Sequence, residues 1–258
     1  MTQINLRTAP GHQVLAAAGK KALRPGGYTA TEQLFAWANL QPGETVLELA
    51  ASFGHSAIAL AQRYDLRVVG IENNPDSVAA AQKNVAAAGI SERVEIIEGD
   101  IFHLEKVTQQ FDYVLAEAIL TMQSAPGKAK VLAGICDRLK PNGYFLSHEL
   151  RASGSDLDRI YQDLSRSIRV NAKPLSLQDW ISTCQTAGLT VERHSAGPME
   201  LLNPRKIAQE EGVSTLINMC FNMLTQPVMR QRILAMRETF ERYRDDLGYV
   251  ALYARKEN

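Results

Sequence analysis

The chain has 258 residues, 45% apolar and 22% charged, with 28 basic residues balanced by 28 acidic ones. Such a composition supports a sizeable core, and zero net charge argues against the basic face that nucleic-acid binding ordinarily needs. Cys136, Cys184 and Cys220 lie far apart and match no metal spacing, which reads as reduced thiols and no bound metal; with no apolar leader and no bilayer-length apolar run, a cytoplasmic protein without a membrane span is expected.

In chain order, residues 1–13 read as a loose arm, and Val14–Leu23 as a weak helix stopped by Arg24-Pro25-Gly26-Gly27. Thr29 or Thr31 is expected to cap a second helix running to about Asn39, and Tyr28 could reach over a bound ligand or simply cover apolar surface. Gln41-Pro42-Gly43 turns into the stretch around which the rest is organised, Thr45–Tyr64. There a short apolar strand carrying Glu48 meets the small-residue turn Ala50–Gly54 and then a helix beginning near His55. A strand turning tightly into a helix points unpaired helix N–H groups at whatever occupies the mouth of the turn.

Leu66–Ile71 reads as a second strand, and Asn74 with Pro75 as a strong helix start that Gly89 ends. Further strands follow at Arg93–Glu98, Tyr113–Ala116 and Tyr144–His148, the last preceded by helix Lys128–Leu139 and a turn Lys140–Gly143. Strands separated by helical lengths imply right-handed crossovers and a parallel sheet covered on both faces. Beyond Glu149 come helices at Asp156–Ile168 and Ser176–Ala187, a strand Leu189–Arg193, mostly helical sequence over 204–244 broken by Gly212 and Pro227, and a final strand Tyr249–Ala254. With no linker, one domain over 1–258 is expected: a helical flank at 1–42, a core at 43–150, and a C-terminal part at 151–258 that includes the 204–244 helical lid.

In open α/β sheets, ligands bind outside the carboxyl ends of the strands. Polar residues fall at those ends: Glu48, Glu72, Asp100, Glu117, His148 and Glu149. A carboxylate after the second strand can accept from both hydroxyls of a ribose. Asp100 after the third could accept from an exocyclic amine while the Ile101 N–H donates to a ring nitrogen.

The segments VLELAASFG, VVGIENNPDSVAAA, EIIEGDI, FDYVLAEAIL and LKPNGYFL, in this order and spacing over about residues 43–150, resemble the class I S-adenosylmethionine-dependent methyltransferases. The resemblance implies a Rossmann-like, doubly wound, mostly parallel seven-stranded sheet whose last strand is antiparallel, with a helical insertion before it. It implies that Glu48 and the turn bearing Ala50, Ser52 and Gly54 hold the amino-acid end of S-adenosyl-L-methionine. Glu72, with Asn73 beside it, would hold the ribose, and Asp100 with Ile101 the adenine. Ala116 and Glu117 would face the methionine part and the transferring methyl. Three glycines usual in the turn appear here as Ala50, Ser52 and Gly54. Because a left-handed conformation costs a non-glycine residue about 1–2 kcal/mol, the first two are expected to keep ordinary dihedrals.

If the acceptor arrives protonated, Glu117 and His148 are the candidate general bases. The family's members acting on nucleic-acid amino groups usually carry a polar-Pro-Pro-aromatic run after the fourth strand; here it reads Ala116-Glu117-Ala118-Ile119. A small, partly apolar metabolite is therefore the expected partner, with no nucleic acid; a homodimer is left open. Met199, Met219, Met223, Met229 and Met236 crowd the C-terminal part, either filling a core or shaping an adaptable apolar pocket. Arg230, Arg232, Arg237, Arg242 and Arg244 read as a solvated helix face. Two alternatives stand beside methyl transfer: a cofactor-binding protein without transfer activity, and a nicotinamide-dependent oxidoreductase. No Tyr here precedes a Lys by four residues, as the short-chain kind of oxidoreductase would require.

Overall fold

A computed structural model of the chain describes residues 4–257, so the first three residues of the expected arm lie outside them. The elements run α1 (Gly11–Ala17), α2 (Gly27–Ala38), β1 (Thr45–Leu49), α3 (His55–Tyr64), β2 (Arg67–Glu72), α4 (Pro75–Ala87) and β3 (Val94–Glu98). They continue with β4 (Phe111–Glu117), α5 (Ala125–Arg138), β5 (Leu139–Ala152), α6 (Leu157–Ile168), α7 (Leu177–Thr186) and β6 (Leu189–Pro198). Last come α8 (Pro204–Glu211), α9 (Val213–Thr225), α10 (Pro227–Arg242) and β7 (Leu247–Lys256). The strands form one sheet in the order β3-β2-β1-β4-β5-β7-β6. β1 to β5 pair in parallel, while β7 runs antiparallel to both β5 and β6. This is the Rossmann-like α/β sheet with an antiparallel last strand.

Alternation along each strand sorts the apolar side chains onto two faces. Val46, Val68, Leu115 and Leu146 pack with α2, α3 and α4 on one face, and Leu47, Leu49, Val114 and Phe145 with α5 and α7 on the other. A third apolar cluster joins α1, α6, α8 and α10 over Leu150, Ala152 and Leu247. That third layer covers the carboxyl end of β5. No helix among the described residues is long and apolar enough to cross a membrane.

Several local expectations are corrected. The α2 helix starts at Gly27, and neither Thr29 nor Thr31 caps it. Instead Glu210 of α8 accepts from the N–H groups of Tyr28 at 2.8 Å and Thr29 at 3.0 Å, so a carboxylate from a distant helix satisfies the free donors. The first helix is shorter and earlier than expected, and residues 6–9 are no loose arm. Arg232 donates to the carbonyls of Leu6 at 2.9 Å and Ala9 at 3.0 Å. Arg232 is thus buried rather than part of a solvated face. Lys140–Gly143 lies inside β5, where a bulge and a left-handed Asn142 replace the expected turn.

By contrast, Asn74 accepts from Ser77 N–H at 3.0 Å, with Pro75 opening α4 as expected. Gly212 and Pro227 divide the C-terminal helices as read.

Candidate active site

The same alternation decides which polar side chains meet. In β1, Val46 belongs to the α2/α3 face, so Glu48, two residues on, points there too. The count gives the same face for Glu72 after Val68 and Gly70, for Glu117 after Leu115, and for His148 after Leu146. Four polar groups from four adjacent strands are thereby gathered at one carboxyl edge. Glu149 falls on the opposite face. There it accepts from the N–H groups of Ile119, Leu120 and Thr121 at 3.1, 2.9 and 2.9 Å, holding the loop after β4. Ala116 also points to that opposite face and is wholly buried.

Arg24 ties the cluster together from the loop before α2. Its guanidinium lies 2.8 Å from Glu117 Oε2, donates to Thr31 Oγ1 at 3.2 Å, and donates to the Ser56 hydroxyl at the start of α3. Thr31 in turn donates to Glu117 Oε1. His148 is fully buried. Its Nε2 accepts from Gly26 N–H at 3.0 Å, which puts the ring proton on Nδ1, 3.3 Å from Thr31 Oγ1 and 3.6 Å from Glu117 Oε1. Burial lowers the His148 pKa, with Glu117 opposing, so the ring is neutral. Glu117 is pushed up by burial but held below the ordinary value by Arg24 and its hydrogen bonds. Tyr28 lies beside the guanidinium, with Arg24 Cζ 5.8 Å from its ring centre.

Glu48, unlike Glu117, has no ion pair among the described residues. It is buried, and its Oε2 meets no hydrogen-bond partner among the described residues. Burial, reinforced by the charge of Glu117, pushes its carboxyl up to about 8. An orphaned carboxylate oxygen beside the turn is a fit for a cationic ligand group.

The turn itself overturns one expectation. Ala50 and Ser52 both take left-handed dihedrals, with φ of 54° and 51°, as Gly54 does at 75°. The chain reverses so tightly that these angles are imposed despite their cost. Compensation comes from Ala51 N–H bonding the Ile71 carbonyl at 2.9 Å and Ser52 N–H bonding Glu72 Oε2 at 2.9 Å. Gly70 makes room, since a Cβ there would lie 2.8 Å from that of Ala51. The other Glu72 oxygen accepts from Asn74 N–H at 2.9 Å, leaving each oxygen a further lone pair for a hydroxyl. Ser52, Phe53, Asn73 and Asp100 are exposed along this edge. Asp100 accepts from Phe102 N–H at 2.9 Å, and Ile101 opens a short 3₁₀ turn whose first N–H groups lack intrahelical partners. The edge therefore offers a row of acceptors and donors of the chemical kind the expected cofactor needs.

Beyond the cluster, a cavity of about 60 Å³ lies against the residues that follow β4. Ala118, Met122, Met199, Met236 and Phe240 are among its walls, together with Pro25 of the Arg24 loop. Two of the five C-terminal methionines thus shape this space, whereas Met219 and Met229 fill the core beneath α9 and α10. His12 of α1 also lines the cavity. Sequence reasoning missed Arg24, Thr31, Ser56 and His12. Arg24 and His12 lie where no periodicity assigns a side-chain direction, Thr31 reads as a helix cap, and Ser56 carries no signal of its own.

A family model described as a methyltransferase domain matches residues 40–201. A protein of Haemophilus influenzae described as uncharacterized is 31% identical over 246 residues, covering 95% of this chain and 98% of its own length. A dual O-methyltransferase/FAD-dependent monooxygenase of Cercospora beticola is 29% identical over 200 residues, spanning 70% of this chain but 23% of that protein. Among solved structures, a SAM-dependent methyltransferase from Geobacter sulfurreducens in complex with S-adenosyl-L-homocysteine superposes with a TM-score of 0.70 at 16% identity, covering 97% of this chain and 100% of that one.

Proposed function

The chain belongs to the methyltransferase domain family, as a class I S-adenosylmethionine-dependent enzyme, and from that premise we propose that it methylates a small, partly apolar metabolite. The apolar cavity beside the Glu117 end of β4, next to the row of cofactor-facing acids, is the observation that carries this reading of the substrate. In it, Glu48 takes the cationic amino group of the cofactor on its free oxygen, and the small-residue turn Ala50–Gly54 admits the rest of the amino-acid end. Glu72 and Asn73 meet the ribose, and Asp100 with the Ile101 N–H reads the adenine edge. Bound S-adenosylmethionine supplies a methyl group already activated on a sulfonium.

What the protein adds is placement. Holding an acceptor atom in line at about 3–3.5 Å supplies roughly 7–11 kcal/mol of the barrier. Glu117 and His148, read from sequence as bases, act in this account as positioning residues. Both Glu117 oxygens and both His148 nitrogens are already engaged with Arg24, Thr31 and Gly26, so they hold the 24–31 segment closed over the site. A methyl-transfer assay with labelled cofactor over a panel of small apolar acceptors tests the reading, with RNA and protein as controls. Transfer to a small acceptor alone is expected; transfer only to RNA or protein would refute it. Glu117→Gln should lower turnover through loss of closure, raising KM for the acceptor as well as lowering kcat, with cofactor affinity changed little.

A further inference from the structure

We propose that His12 accepts the proton of an acidic hydroxyl on an apolar substrate, so that the protein is an O-methyltransferase for phenolic or enolic compounds. The inference rests on the methyl-transfer reading above and adds the acceptor atom and the base. Among the described residues lining the cavity, His12 is the one with a polar side chain. It is exposed to solvent on one side while lining the cavity on the other, as a group at the mouth of a cleft does. The negative charge of Glu72 partly offsets the effect of its surroundings on the ring. His12 therefore puts one basic nitrogen on the wall of an otherwise apolar cavity.

Its placement is enforced. A Cβ at Gly11 would lie 2.8 Å from Met236 Sδ and 3.2 Å from Ile168 Cα, so the first turn of α1 is pressed against α10 and α6. Arg232 fixes the preceding carbonyls of Leu6 and Ala9. Unlike His148, the His12 ring meets no hydrogen-bond partner among the described residues, so a ring nitrogen is available to a ligand. Burial lowers its pKa, with Glu72 opposing, so the imidazole is neutral at rest and its protonated form gains a counter-charge.

The step balances with the groups at hand. The acceptor oxygen forms a bond to the methyl carbon as the carbon–sulfur bond breaks, and that bond's electron pair stays on sulfur as a neutral thioether. The hydroxyl proton passes to His12 and later leaves to solvent through its exposed side. Imidazole can assist a hydroxyl of phenolic acidity, near pKa 10, far better than an alkanol. Apolar walls with flexible methionines suit a flat apolar ring.

The test uses the full chain and a series of phenols graded in acidity, with His12→Gln beside the wild type and S-adenosylhomocysteine binding followed by calorimetry. General-base help is worth about 10²–10⁴-fold. His12→Gln should lose at least about a hundredfold on weakly acidic phenols and little on phenols already ionised at the assay pH, with S-adenosylhomocysteine affinity unchanged. An equal loss across the series would mark a merely structural role and overturn the proposal, as would no loss at all. A wild-type chain that binds S-adenosylhomocysteine but methylates no phenol would overturn the acceptor class alone. Failure of the wild type to bind S-adenosylhomocysteine would instead remove the methyl-transfer premise.

Discussion

Glu48 links the chemistry of the site to the pH dependence of the fold. With its carboxyl raised from an ordinary 4.5 to about 8, it is protonated at neutral pH while the site is empty. A cationic group seated on its free oxygen favours the carboxylate, so S-adenosylhomocysteine binding at pH 7 should release close to one proton. Calorimetry in buffers of different ionisation enthalpy reads that number, and Glu48→Gln should abolish it. The sign for stability follows from the same shift: a raised pKa favours the fold below the ordinary carboxyl value, and the benefit is lost as pH climbs through about 8. Urea unfolding of Glu48→Gln should accordingly show a flatter pH dependence between those values. At Ala50, left-handed with φ 54°, a glycine would relieve about 1–2 kcal/mol of strain while adding about 0.4–1 kcal/mol of unfolded-chain entropy. Ala50→Gly should be neutral or stabilising by about 1 kcal/mol in urea; clear destabilisation would contradict the strain argument. The acids were legible in the sequence because each closes or follows a short apolar strand. The dihedrals of Ala50 and Ser52 were not, since the demand for a left-handed turn comes from the return onto Ile71 and Glu72 rather than from the residues themselves.

At the level of elements, α8 locks the N-terminal segment. Lys20 and Glu211 form a buried ion pair, and the second Glu211 oxygen accepts from Lys21 N–H at 2.6 Å. Removing one partner leaves an uncompensated buried charge, so Glu211→Leu should cost about 3–5 kcal/mol. Lys20→Met/Glu211→Leu should recover much of that loss in the same urea titrations. Glu210, which caps α2 from outside, is a milder case: Glu210→Ala should cost about 0.5–2 kcal/mol and loosen the loop that carries Arg24. Helix α4 was readable because Asn74, Pro75 and Gly89 are its own signals. The start of α2 was misread because its cap arrives from a residue far along the chain, and no local pattern encodes that.

For the whole molecule, the covered parallel sheet followed from the spacing of strands and helices and the antiparallel last strand from the family resemblance, while the way the helices pack over the sheet's carboxyl edge followed from neither. That layer is built from tertiary contacts among α1, α6, α8 and α10, and it leaves a cavity of about 60 Å³, room for a few water-sized groups. At that volume the cavity must widen to seat a metabolite, so part of this roof has to move. Hydrogen exchange should therefore find the amides of residues 18–29 and of α8 opening more readily than those of β1 and β4, and slowing when S-adenosylhomocysteine is bound. The central claim is that carboxylates at the ends of adjacent strands hold one adenosine-bearing cofactor. Its most direct test is calorimetric titration of S-adenosylhomocysteine into the wild type, Glu72→Ala and Asp100→Ala, each verified as folded by circular dichroism. Saturable micromolar binding by the wild type is expected, weakened at least about tenfold by Glu72→Ala. No binding at millimolar ligand, or unaltered affinity in both variants, would contradict it.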